Sequence, residues 1–118
     1  MTIPEKITTL LAQSESQQAK FADVIAFIEK YYSHTPTAFQ NGQQYNTADK
    51  NQGSAKVLAF AKLNHLSKED TLKLFAEYYY AVVATPDADD HQNIRQFIQN
   101  GWDGVTFEGM ALKEKSEV

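Results

Sequence analysis

The sequence predicts a mainly α fold, a compact bundle of about five helices with a long ordered loop and a short extended segment near the C-terminus. Three observations predict it. Apolar residues recur at helical spacing in five separate stretches. Pro36, Pro86 and the Asn41-Gly42 signal fall between those stretches rather than inside them. The 118 residues, 42% of them apolar, suffice for one core and leave little room for a second. The expected organisation is therefore a single domain over 1–118, with a tail that frays from about residue 110.

Ile3, Ile7, Leu10 and Leu11 set a short first helix at about 3–14, with Pro4 in the first turn, where its missing N–H costs little. Phe21, Val24, Ile25, Ile28 and Tyr32 form the clearest stripe of the chain and predict a second helix over about 18–32. Thr35-Pro36 stops it, because the residue before proline is pushed out of helical dihedrals. Residues 33–53 then read as a long loop with a turn at Asn41-Gly42 and a second backbone exception at Gly53. Phe39 and Tyr45 are expected to pin that loop to the body, and an ordered loop of this length is commonly functional.

A third helix is expected over about 54–63, faced by Val57, Phe60 and Ala61. Ser67 is a fitting N-cap for a fourth helix running to Val83 or Ala84, apolar over much of its circumference and so expected at the centre of the packing. Its end, YYYAVV, also suits a strand. Asp89 is placed to cap a fifth helix with Ile94, Phe97 and Ile98 inward, and Gly101 to end it in a left-handed conformation. Trp102, Val105 and Phe107 then read as a short extended segment or packed cover.

Composition excludes several functions. Cysteine is absent, which removes disulfides, thiol catalysis and cysteine-based metal sites. Fifteen acidic against eleven basic residues, with no basic cluster, disfavour nucleic-acid binding. No run approaches eighteen apolar residues, so no membrane insertion is expected, and the N-terminus does not read as a secretory signal.

No complete chemical motif is present, and the reading assigns no catalytic residue, cofactor or metal. His34, His65 and His91 form neither HExxH nor HxH, and the first two read as loop or helix-end residues. The run Asp89-Asp90-His91 reads as acid-rich capping of a helix start before it reads as a metal site. Ser54 and Ser67 lie in no nucleophile elbow. Arg95 suits internal pairing with Asp89 or Glu77, and second an anionic ligand. The tyrosines, Tyr78 to Tyr80 among them, divide between core packing and a partner surface. The residues singled out as a ligand or partner surface are Asn41, Asn46, Asn51, Lys56, Asn64, His91, Asn93, Arg95 and Trp102.

Three blocks carry a resemblance: FIEKYYSHTPTAFQNG at 27–42, NQGSAKVLAFAKLNHLSKEDTLKLFAEYY at 51–79 and TPDADDHQNIRQFIQNGWDGVTF at 85–107. Their most specific parts are AFAKLN-x-LS at Ala59–Ser67, DHxNIRxF at Asp90–Phe97 and GWxG at Gly101–Gly104. Together, over about residues 20–107, they resemble the HopJ type III effector protein family, small bacterial proteins. Ala88 stands where that family often has glycine. The resemblance implies a protein acting through binding, to a protein partner or a small ligand. It implies a place in the bacterial cytoplasm or delivery into a host cell, and no particular reaction. The alternatives are a small enzyme or ligand binder with a polar cleft, and a cytoplasmic structural or regulatory domain unrelated to secretion.

Overall fold

The computed structural model describes residues 3–115, with side chains from Glu5 onward. Six α-helices, one 3₁₀ turn and five three-residue strands follow one another: α1 (Ile3–Glu15), α2 (Phe21–Tyr31), β1 (Tyr32–His34), β2 (Phe39–Asn41), β3 (Gln44–Asn46), α3 (Gln52–Leu63), α4 (Lys68–Lys73), α5 (Glu77–Ala84), α6 (Gln92–Asn100), the 3₁₀ turn (Gly101–Gly104), β4 (Val105–Phe107) and β5 (Leu112–Glu114). The strands form two antiparallel sheets, β1 with β5 and β3-β2-β4. The expected helical bundle is thus corrected to a mixed α/β globule. Of the calls on the first helix, the Ile3 side chain lies outside the described residues.

The core explains the arrangement. In α3, Ala55 and every residue of Val57–Ala61 are buried, so this helix is enclosed on most of its circumference and takes the central place. Val24 and Ile28 of α2, Phe39 of β2, Leu74, Phe75 and Phe97 complete the interior. The expected long fourth helix is broken instead. Leu74, Phe75 and Ala76 are all buried where the helix is interrupted. The chain breaks between α4 and α5, and Ala76 adopts φ 53°, ψ −125°. The YYYAVV end stays helical in α5. Ser67 does cap α4, accepting from the Asp70 N–H at 3.1 Å.

The 33–53 segment is ordered by pairing. Asn41 faces Gln44 across a two-residue turn in which only Gly42 has positive φ (59°), the requirement of a type II′ hairpin. Phe39 is fully buried and pins the segment, whereas Tyr45 is 49% exposed and donates its hydroxyl to Glu108. β4 closes the other side of β2, and the Gly42 N–H donates to the Gly104 carbonyl at 2.9 Å. A β-carbon on Gly104 would sit 3.0 Å from the Gly42 nitrogen, so this crossing needs glycine. Gly53 has ordinary helical dihedrals within α3, and its missing side chain makes room for the Phe21 ring.

The C-terminal reading is also corrected. Ala111 and Leu112 are buried and β5 pairs with β1, so the chain is held through residue 115 by backbone bonds and an apolar anchor. The remainder of the expected frayed tail, 116–118, lies outside the described residues. Gly101 ends α6 at φ 60°, ψ −150°, a conformation open essentially to glycine and distinct from the left-handed helix expected there.

Candidate functional site

A cleft of about 460 Å³ opens where the first turns of α3 and α6 meet the start of α2 and the α4–α5 break. One wall is aromatic. The Phe21 ring stacks on Phe75 (centroids 6.1 Å, 15° between planes) and tilts against Tyr78 (5.1 Å), which in turn lies 5.2 Å from the His91 imidazole. The other wall is made of small polar groups, Gln44, Asn51, Ser54, Gln92 and Asn93. Among the described residues no aspartate, glutamate, lysine or arginine lines it.

Local strain gathers at the rim. Asn51 and His91 are the N-caps of α3 and α6, both in the left-handed region at φ 53° and 51°, and neither gives its helix a side-chain cap. Ala76, next to the lining residue Phe75, also has positive φ but at ψ −125°, outside the left-handed helical region. Non-glycine residues in such dihedrals cost about 1–3 kcal/mol each and persist where packing enforces them. The capping reading of Asp89 is corrected here: the helix starts beyond His91, and Asp89 uses its backbone carbonyl to accept from the Gln92 side chain at 2.7 Å. Glu77 fastens the aromatic wall from below, accepting from the Phe21 N–H at 2.6 Å.

Behind the polar wall lies a lattice of amides. Asn46 and Asn93 pair through both halves of their side chains, Asn93 Nδ2 donating to Asn46 Oδ1 at 2.9 Å and Asn46 Nδ2 to Asn93 Oδ1 at 3.0 Å. Asn41 Nδ2 donates to the Asn93 carbonyl and to Asn93 Oδ1 (2.8 and 3.1 Å), and Asn51 Nδ2 donates to Asn46 Oδ1 at 2.7 Å. Asn41, Asn46 and Asn93 are buried, and the lattice ties β2, β3 and α6 into one unit. Farther along, Gln96 Oε1 accepts from the Gln43 N–H and from Asn100 Nδ2. Asn41 Oδ1 is buried without a hydrogen-bond partner among the described residues; the other polar atoms named here are satisfied and have a structural task. The Asn51, Ser54, Gln44 and Gln92 side chains at the cleft keep oxygen atoms that no described residue hydrogen-bonds as acceptors.

The other residues singled out from sequence lie elsewhere. All five N–H bonds of Arg95 are spent inside the fold: Nε on the Asp90 carbonyl, Nη1 on the carbonyls of Thr85 and Pro86, and Nη2 on the Thr85 hydroxyl and the Asp90 carboxylate (2.6 Å). The Arg95 hydrogen bond holds the Asp90 carboxyl below its ordinary range. Lys56 pairs with Glu29 at 2.8 Å, and that hydrogen bond holds Glu29 low. Beside them, His34 touches the Gln52 amide, and burial followed by the nearby Lys56 charge lowers its pKa. Asn64 donates to the Tyr32 hydroxyl at 3.1 Å, and Trp102 Nε1 to the Leu66 carbonyl at 3.0 Å. The structure thus gathers Asn51, His91 and Asn93 at the cleft with Asn41 and Asn46 behind them, and disperses Lys56, Asn64, Arg95 and Trp102. Phe21 and Phe75 were legible only as core residues, since nothing in the sequence brings positions 54 residues apart into one wall.

The architecture has known counterparts. The chain matches the HopJ type III effector protein family over residues 5–112, nearly its whole length. The chain belongs to that family. It is also similar to the crystal structure of VPA0580, a protein of unknown function, with 40% identity over 98% of this chain and 95% of that one and a TM-score of 0.88. No curated protein matches. This HopJ chain therefore shares its fold with a solved relative whose own activity is open. Among its described residues, no group of three or more His, Asp or Glu side chains is placed to hold a metal ion. No helix there is long and apolar enough to cross a membrane.

Proposed function

We propose that this HopJ-family protein acts by binding, and that its ligand sits in the cleft between α3 and α6 against the Phe21–Tyr78–His91 wall. One observation carries the reading: ring surface faces a row of uncharged amide and hydroxyl groups across a single cavity. Stacking on one side and neutral donors and acceptors on the other suit a small, planar, uncharged molecule with polar edges, of the size of a nucleobase or nicotinamide. The cleft offers one imidazole and no carboxylate, which supports binding over paired acid–base chemistry there. The family name adds a route, export through a type III system into a host cell, and supports an effector working with its ligand inside that cell.

Titration of the protein with adenine, nicotinamide and glucose, followed by amide chemical shifts, tests the cleft. The planar compounds should move the Gly53, Ser54, His91 and Gln92 signals. Tyr78→Ala should weaken binding about tenfold, in keeping with the ~1–3 kcal/mol that one stacked ring supplies. Shifts scattered over unrelated faces, or a preference for glucose, reject the reading.

A further inference from the structure

On a different face, two cavities of about 260 and 400 Å³ lie on either side of Lys62 and His65, which line both. The smaller continues past Leu66, Trp102 and Val105. The larger runs over Ala59, Phe107 and Leu112 to Leu63 and Met110, which are 50% and 72% exposed. The larger cavity is mainly apolar, the smaller is evenly polar and apolar, and Lys62 and His65 lie where the two meet. Among the described residues, neither Lys62 nor His65 has a hydrogen-bonding or ion-pairing side-chain partner, in a protein whose net charge is −4.

The strand beside the groove is open. β4 is the outer strand of its sheet, and the bonds from Gly42 N–H to the Gly104 carbonyl and from Glu108 N–H to the Ala38 carbonyl fix which of its groups face β2. Residues 104, 106 and 108 point toward β2, so Val105 and Phe107 direct their backbone groups away from it. The Val105 N–H is used within the 3₁₀ turn, by the Trp102 carbonyl. Among the described residues, the Phe107 N–H and the carbonyls of Val105 and Phe107 have no backbone partner and form an open ladder edge, and both residues line the groove.

We infer that this face docks an extended peptide segment of a partner protein, one that carries a carboxylate beside an apolar side chain. The peptide backbone adds to the β4 edge. Its apolar side chain lies among Phe107, Leu63 and Met110, and its carboxylate meets Lys62 and His65. Strand addition supplies backbone complementarity while alternate side chains supply selection. An unpaired edge with an apolar border is otherwise a liability that proteins cover or charge. The two lone cationic or donor side chains select for acid, since nothing of opposite sign on the protein already engages them.

A fluorescent octapeptide of alternating leucine and glutamate, blocked at both ends, serves as the probe, against the same peptide with lysine for glutamate. Anisotropy should rise with the acidic peptide and not with the basic one, and the binding should weaken as salt is added. Lys62→Glu, on an exposed helical position, should keep the circular dichroism of the parent and weaken the acidic peptide about tenfold or more. The Phe107 amide signal should move on binding, while Tyr78→Ala should leave the affinity unchanged. Equal binding of both peptides, no binding of either, or indifference to Lys62→Glu overturns the proposal. So does a concentration-dependent dimer abolished by Lys62→Glu, which would give the groove to a second copy of this chain.

Discussion

Asn93 shows what a buried amide does that a hydrocarbon cannot. Its carbonyl and side-chain oxygen receive Asn41 and Asn46, and its amide nitrogen reaches back to Asn46, so one side chain sets the angle of α6 against the β2–β3 hairpin. Truncation would strand several polar atoms away from water, each costing about 1–3 kcal/mol. Asn93→Ala is therefore expected to lower unfolding free energy by about 2–4 kcal/mol in urea titrations. A loss below ~0.5 kcal/mol would mean that water replaces the lattice and that its bonds carry little. The sequence offers Asn41, Asn46, Asn51 and Asn93 as polar residues worth watching, but the lattice depends on Asn93 meeting Asn41 and Asn46 across 52 and 47 positions. Arg95 is the converse lesson. A guanidinium on an amphipathic helix reads equally as ligand clamp or internal clasp, and only the converging carbonyls of Thr85, Pro86 and Asp90 decide it.

Among the elements, most helices and the extended segment at 105–107 were legible and the other strands were not, for a reason of length. The faces of α2, α3 and α6 extend over three turns or so, long enough for a 3.6-residue period to stand out. Each strand has three residues, too few for alternation to register, and their partners lie far away in sequence, β1 with β5 and β2 with β4. The division between α4 and α5 was equally hidden, because alanine gives no sign that a break sits on it. At φ 53°, ψ −125°, Ala76 occupies backbone space that glycine enters more easily. Ala76→Gly is accordingly expected to raise stability by about 1 kcal/mol, against the usual penalty for glycine near helices, as read from the urea midpoint. A comparable loss would show that the buried methyl outweighs the dihedral strain.

For the whole molecule, the 13.6 Å radius of gyration encloses one core that joins both sheets to the helices, with the aromatic-walled cleft on one side and the outer β4 edge on another. The proposed export is tested at this scale. A reporter fused to the chain should enter host cells only when the type III apparatus is intact, and equal entry without it rejects that route. The family was legible from the ordered blocks at 27–42, 51–79 and 85–107, and Asn51, His91 and Asn93 were picked out from sequence, whereas the aromatic wall of the cleft was not, because the cleft is assembled from five separated stretches of chain.

The hairpin at Asn41-Gly42 has a chemical corollary. An asparagine followed by glycine ages readily when the glycine nitrogen can attack the side-chain carbonyl, closing a ring with loss of ammonia that water then opens to aspartate or isoaspartate. Here the Gly42 N–H is committed to the Gly104 carbonyl and the Asn41 amide is clamped on Asn93, so neither reactant is free to approach the other. The folded chain protects its own covalent structure at that peptide bond, and time spent unfolded is recorded there as a carboxylate in the middle of the amide lattice.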